Sequence, residues 1–282
     1  MSSNPQFEAF QQFYGFDKSV NPYWQMVPLD GEKDVYLDNA AGMTVQILNA
    51  NIAQVSETTI NNVPGQQRRL FKLTGKSRGQ TYLEVRKDNV LKTRLEIDVK
   101  EEKKLGLAFN FVTDKGKHTT IKNPSDVPYW ITILNEIYHP QANVSFTHCS
   151  TRSVKIKNNL GPEVDSIDAN YSGWEWDVIV KERDNSADIN LFFVWKIAKH
   201  TPNGASFPKG SNTLKDCLIA DFIIRPFEIE IVVMAHEIGH ALGIRNDQHF
   251  YHPKNRGRVV MYYISRFAGR EFPKIHANMI NP

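Results

Sequence analysis

Between residues 31 and 100 the chain alternates apolar and polar side chains with a period of two. Residues 34–37, 44–48, 69–73, 81–86 and 93–99 carry the alternation most clearly, and each predicts a strand with one face buried and one in water. Turn formers divide them at residues 39–42, at Pro64-Gly65, at residues 75–79 and at Asp88-Asn89. Strands this closely spaced, with no helical period between them, predict an antiparallel β-sandwich.

The period changes after the charged run Lys100-Glu101-Glu102-Lys103-Lys104, which marks a domain boundary. Residues 105–112 predict a strand, and residues 126–138 a helix with Pro128 in its first turn. Further strands are predicted at 143–147, 188–195 and 218–224; the second of these is almost continuously apolar, as a central strand covered on both faces would be. Residues 199–215 are rich in turn formers and read as a long loop. The expected organisation is an N-terminal segment (1–29), an all-β sandwich (30–100) and an α+β domain (101–282).

Residues 227–244 form a helix-length apolar run interrupted at Glu228, Glu230, His236, Glu237 and His240. His236-Glu237-Ile238-Gly239-His240 has the spacing H-E-x-x-H. On a helix, positions four apart lie about 40° around the axis and about 6 Å along it, so both imidazoles can reach one ion. Glu237 stands beside them as a base able to accept a proton from a water that the metal has acidified. These residues point to zinc-assisted hydrolysis, with His236 and His240 as ligands and Glu237 as catalytic base.

Read as far as Gly243, the motif resembles the metzincin clan of zinc endopeptidases, whose longer pattern puts a third ligand three residues beyond the glycine. Here that position is Asn246, a poor zinc donor. Asp247 is the preferred third ligand by donor type, with His249, Asn246 and His252 as the alternatives. The run Val259-Val260-Met261-Tyr262-Tyr263 resembles the clan's methionine turn without its serine. The resemblance implies a metzincin-like α/β/α catalytic fold with an antiparallel edge strand for substrate, and a second catalytic role for Tyr263 in holding the oxyanion. Residues 73–83 resemble the late strands of bacterial immunoglobulin-like domains, which implies an immunoglobulin-like sandwich used for spacing, adhesion or docking.

Composition changes this picture little. At 41% hydrophobic and 23% charged, the 282 residues suit globular domains. The 34 basic and 31 acidic side chains are spread evenly, which gives no electrostatic case for nucleic acid or an anionic membrane. No apolar stretch is long enough to predict a membrane span. Cys149 and Cys217 make at most one bridge and are otherwise free thiols. Residues 1–29 have neither the basic start nor the apolar centre of a Sec signal. The expectation is a Zn²⁺-dependent endopeptidase acting on a protein or peptide. It would be an effector or toxin exported without a signal peptide and cytoplasmic before export, with its N-terminal domain meeting secretion machinery or a surface partner. The alternatives are a zinc amidase acting on cell-wall crosslinks and a metal-free, protease-like binding or adhesion protein.

Overall fold

A computed structural model describes residues 4–58, 68–165, 174–198, 204–206, 216–221, 227–244, 260–261 and 270–282. The chain is mostly β-sheet, in several sheets, and divides into two compact units. Unit 1 comprises Met1–Lys103, Tyr138–Val144 and Phe272–Pro282; unit 2 comprises Lys104–Ile137 and Ser145–Glu271.

Unit 1 contains two sheets. The first has the order β1 (Gln6–Ala9), β4 (Glu32–Asp38), β7 (Arg69–Gly75), β6 (Ala53–Thr58), every pair antiparallel. The second has the order β2 (Phe16–Asp17), β3 (Tyr23–Pro28), β9 (Val90–Lys100), β8 (Gly79–Lys87), β5 (Thr44–Ile47), with β3 parallel to β9 and the rest antiparallel. The alternation becomes a shared core: Phe7, Val35, Leu37, Phe71 and Leu73 from the first sheet meet Val27, Leu83, Val85, Leu95, Ile97 and Val99 from the second. Asp88 and Asn89 both have positive φ, the backbone a two-residue hairpin between β8 and β9 requires.

Several elements depart from the sequence reading. Residues 1–29, expected to stand apart, supply β1, β2 and β3; these strands are short or non-alternating, so periodicity did not expose them. β6 was missed because, on its sheet edge, it buries little beyond Ala53. Unit 1 also includes a helix from the far end of the chain, α4 (Lys274–Ile280). Asn281 behind that helix donates to the carbonyls of Glu101 and Ala142 at 2.9 and 2.8 Å, and Lys100 Nζ donates to the Asn281 carbonyl at 2.7 Å.

Unit 2 is built on one five-stranded sheet, ordered β11 (Val144–Lys155), β10 (Lys103–Thr113), β12 (Ile189–Val194), β14 (Asp216–Ala220), β13 (Gly204–Ser206). β10, β12 and β14 run parallel, and β13 is antiparallel to β14. Lys103 N bonds Asn143 O at one end of the β10–β11 pair and Ile156 N bonds Thr113 O at the other, so these two also run in one direction, as a crossover through a helix requires. That helix is α1 (Val127–Ala142), which runs four residues beyond its expected end and has Pro140 in its last turn. Its Trp130 stacks on Phe193 at 5.0 Å and on Phe109 at 6.1 Å on one face of the sheet. On the opposite face Trp176 and Ile179 of α2 (Trp174–Val180) pack against Phe192 and Leu218. β13 lies inside the stretch read as a loop; Gly-Ala-Ser carries no strand signal in sequence, and pairing to β14 alone makes it one.

Candidate metal centre

The H-E-x-x-H residues lie on α3 (Phe227–Ala241), which packs along β13 and β14. Ile231, Val233, Met234, Ala235 and Ile238 are fully buried, so the helix is covered around most of its girth and its few polar groups must be satisfied locally. One interaction anchors its first turn: Glu230 accepts from Lys122 at 2.6 Å. The segment that carries Lys122 is itself held to the end of β14, where Asp221 accepts from Thr120 Oγ1 and Ile121 N at 2.6 and 2.7 Å.

His236 is buried and His240 half-buried, and their rings meet edge to face at 86° with centroids 4.7 Å apart. His236 Nδ1 lies 3.0 Å from the Val260 carbonyl and His240 Nδ1 lies 2.5 Å from the Ile244 carbonyl. A carbonyl can only accept, so each Nδ1 carries a proton, which in a neutral ring leaves the lone pair on Nε2. Those two Nε2 atoms face each other at 3.1 Å. Lone pairs at that distance repel unless a cation or a shared proton lies between them. Carbonyls behind metal-ligating imidazoles commonly serve this orienting role.

The local sequence explains how the carbonyls arrive. Gly243, at φ +111°, lets the chain turn out of the helix, with Ile244 N bonding Gly239 O at 3.1 Å, and this brings the Ile244 carbonyl back beneath His240. Val260 N bonds Glu271 O at 3.0 Å, which fixes the other carbonyl. The neighbouring Met261 is fully buried, and its sulfur occupies the space into which a side chain at position 239 would project, so any residue larger than glycine there has to displace it. Sequence reasoning missed both orienting carbonyls because backbone groups leave no residue signature.

Glu237 is buried beside the pair. Burial, together with the charges of Glu237 and Asp216, pushes the Cys217 thiol well above its ordinary range. Asp247, the preferred third ligand, and its alternatives Asn246, His249 and His252 lie outside the described residues, as does Tyr263. Cys149 and Cys217 are both free thiols.

No protein-family profile matches the chain, and no curated protein matches it. Solved structures similar to it include domains 4 and 5 of the S-layer protein SbsC, at 15% identity over 34% of this chain and 53% of that one, with a TM-score of 0.23. Domains 5–6 of SbsC match at 14% identity over 43% and 57%, with a TM-score of 0.25. A chaperone–substrate complex matches at 12% identity over 74% of this chain and 37% of that one, with a TM-score of 0.41. The chain thus spans little more than half, or less, of each of these structures.

The resemblance to a metzincin-like metallopeptidase with an N-terminal bacterial immunoglobulin-like domain is therefore corrected. Among the described residues no group of three or more His, Cys, Asp or Glu side chains is placed to hold a metal ion. The physical reason is coordination number: two imidazoles converge here, and zinc in a protein needs a third ligand beside them.

Proposed function

We propose that unit 2 is a zinc-dependent endopeptidase domain, and that the facing Nε2 lone pairs of His236 and His240 are half of its metal site. The 3.1 Å approach of two nitrogens, each backed by a carbonyl acceptor, carries the reading. The donor set suits zinc: two neutral imidazoles, with a further ligand drawn from residues 246–252, Asp247 first by donor type. Zinc, when bound, supplies the Lewis acidity that lets water yield a proton near neutral pH.

The chain's own residues do the rest. Glu237, one position along the helix from His236, accepts that proton and delivers it to the leaving amine. Among the described residues β13 is the edge strand of its sheet, where an extended peptide can lie as an added strand, beside the strand that α3 packs against. Tyr263 is assigned to the oxyanion. Unit 1 serves as a docking module for a surface or secretion partner, and the enzyme works outside the cell that makes it.

The test is hydrolysis by the full chain loaded with Zn²⁺, against proteins and against cell-wall muropeptides. Glu237→Gln is expected to keep its zinc, measured by elemental analysis, and to lose at least about 100-fold in rate. Undiminished turnover ends the assignment of Glu237. Cleavage of muropeptides without cleavage of proteins makes the enzyme an amidase, and absence of zinc from the purified chain makes unit 2 a binding module.

A further inference from the structure

Unit 1 carries an uncharged, aromatic loop whose shape is fixed from within. From Ala9 to Phe16 no side chain bears a charge, and residues 10–15 join β1 at the edge of the first sheet to β2 at the edge of the second. Phe10 and Phe13 are 38% and 36% exposed, and Gln11 and Gln12 between them are exposed as well. Phe13 has a φ of +55°, a left-handed backbone in which a bulky side chain is strained. Strain of this kind persists only where the surroundings enforce it, and it is concentrated at functional sites.

Here the surroundings do enforce it. Gln25 Nε2 donates to the carbonyls of Tyr14 and Gly15 at 3.0 and 3.2 Å, and Met26 N donates to Gly15 O at 2.8 Å. Gly15, at φ +72°, sits so close to Pro140 that a Cβ would lie 2.9 Å from the Pro140 carbonyl oxygen. The Phe10 ring centre is 5.5 Å from that of Tyr36, and Lys33 Nζ is 3.6 Å from the centre of the Tyr14 ring. The loop is therefore preorganised, and little ordering entropy remains to be lost when a ligand binds.

Beside it the charges balance. Arg68 with Asp38, Lys72 with Glu32 and Lys18 with Glu8 are ion pairs, and Lys33 on the Tyr14 ring is matched by its neighbour Asp34, whose charge also acts on Tyr14. Asp17, which follows the loop, is buried and accepts from Ser19 and from the Lys274 backbone. Such a surface has no excess of either sign with which to draw an ionic partner. Its exposed side chains are also far fewer than the roughly 20–30 residues a side of a stable protein interface. A pyranose fits what remains: its C–H face packs on a phenyl ring, and its hydroxyls meet glutamine amides that both donate and accept.

We propose that the loop of residues 10–14 binds a neutral polysaccharide. This gives a ligand class to the docking role proposed for unit 1, and it rests on that role without involving zinc.

Co-sedimentation of the full chain with insoluble cellulose, chitin and β-1,3-glucan tests this. Binding to at least one of them is expected, and it should persist as salt is raised to about 0.5 M. Phe10→Ala should weaken it by about tenfold or more, and Gln11→Ala and Gln12→Ala by about 3- to 10-fold each. Val90→Ala, which trims a more exposed apolar side chain of unit 1, should leave it unchanged. Asparagine accepts a left-handed backbone, so Phe13→Asn should keep or raise the thermal midpoint while weakening binding by about tenfold or more. Absence of binding to all of these polysaccharides overturns the proposal, as does loss of binding in salt or full binding by Phe10→Ala or Phe13→Asn. Adhesion to protein-bearing cell envelopes without polysaccharide binding also overturns it but leaves unit 1 a docking module; adhesion to neither removes the docking role as well.

Discussion

Strands β4 and β7 of unit 1 alternate buried and half-exposed positions, whereas β12 and β14 of unit 2 are buried at every position. A sheet with one wet face can send its polar side chains outward. A sheet covered on both faces has to pair its polar groups internally. Accordingly Asn110 of β10 donates to Asn190 of β12 at 3.2 Å and accepts from Arg152 at 2.7 and 2.9 Å, and Asp216 of β14 meets Arg183. The difference teaches where chemistry can be placed. Unit 1 gains cohesion from an apolar core between two sheets and from bonds to distant chain segments, while the central strands of unit 2 hold desolvated, oriented polar groups side by side.

The largest break in the comparison should come from removing residues 272–282. Unit 1 would lose the buried Phe272, Ala277 and Ile280 and the Asn281 bonds, which amounts to about 4 kcal/mol or more. Urea denaturation should show this as a collapse of the unit 1 transition. A sandwich that keeps its midpoint without this segment would make residues 30–100 self-sufficient, as the alternation alone suggests.

Gly239→Ala comes next, at about 1–3 kcal/mol, because the new methyl group meets the Met261 sulfur in a packed interior. It should also displace His240 from His236 and weaken Zn²⁺ binding measured by calorimetry. Unchanged stability and affinity would mean that Met261 has room to move.

The pH responses, up to about 3 kcal/mol each by linkage, separate the units. Lys33 faces the unit 1 core, and burial lowers its pKa from 10.5 to about 8, although the Tyr14 ring 3.6 Å from Nζ opposes the shift. The unfolded chain then holds more protons between those values, so stability should rise as pH goes from about 8 toward 10.5, and Lys33→Met should remove the rise. Burial raises Asp216 from 3.8 to about 6 against the attraction of Arg183. Its folded form keeps the proton longer, so stability should fall as pH rises from about 4 to 6, and Asp216→Asn should flatten that limb. Thermal melts across the two windows check both signs.

Periodicity was enough to locate β4, β5, β7, β8 and β9, the helix α3 and the spacing of His236, Glu237 and His240, because burial of one face and helical geometry act over a few consecutive residues. Local patterns were blind to whatever depends on a remote neighbour. Asn281 joins Glu101 and Ala142 across more than a hundred residues, β13 is a strand through its pairing with β14, and the Val260 carbonyl orients His236 from 24 positions away. Each of these is a backbone or long-range interaction, satisfied only once the tertiary fold has brought its two ends together.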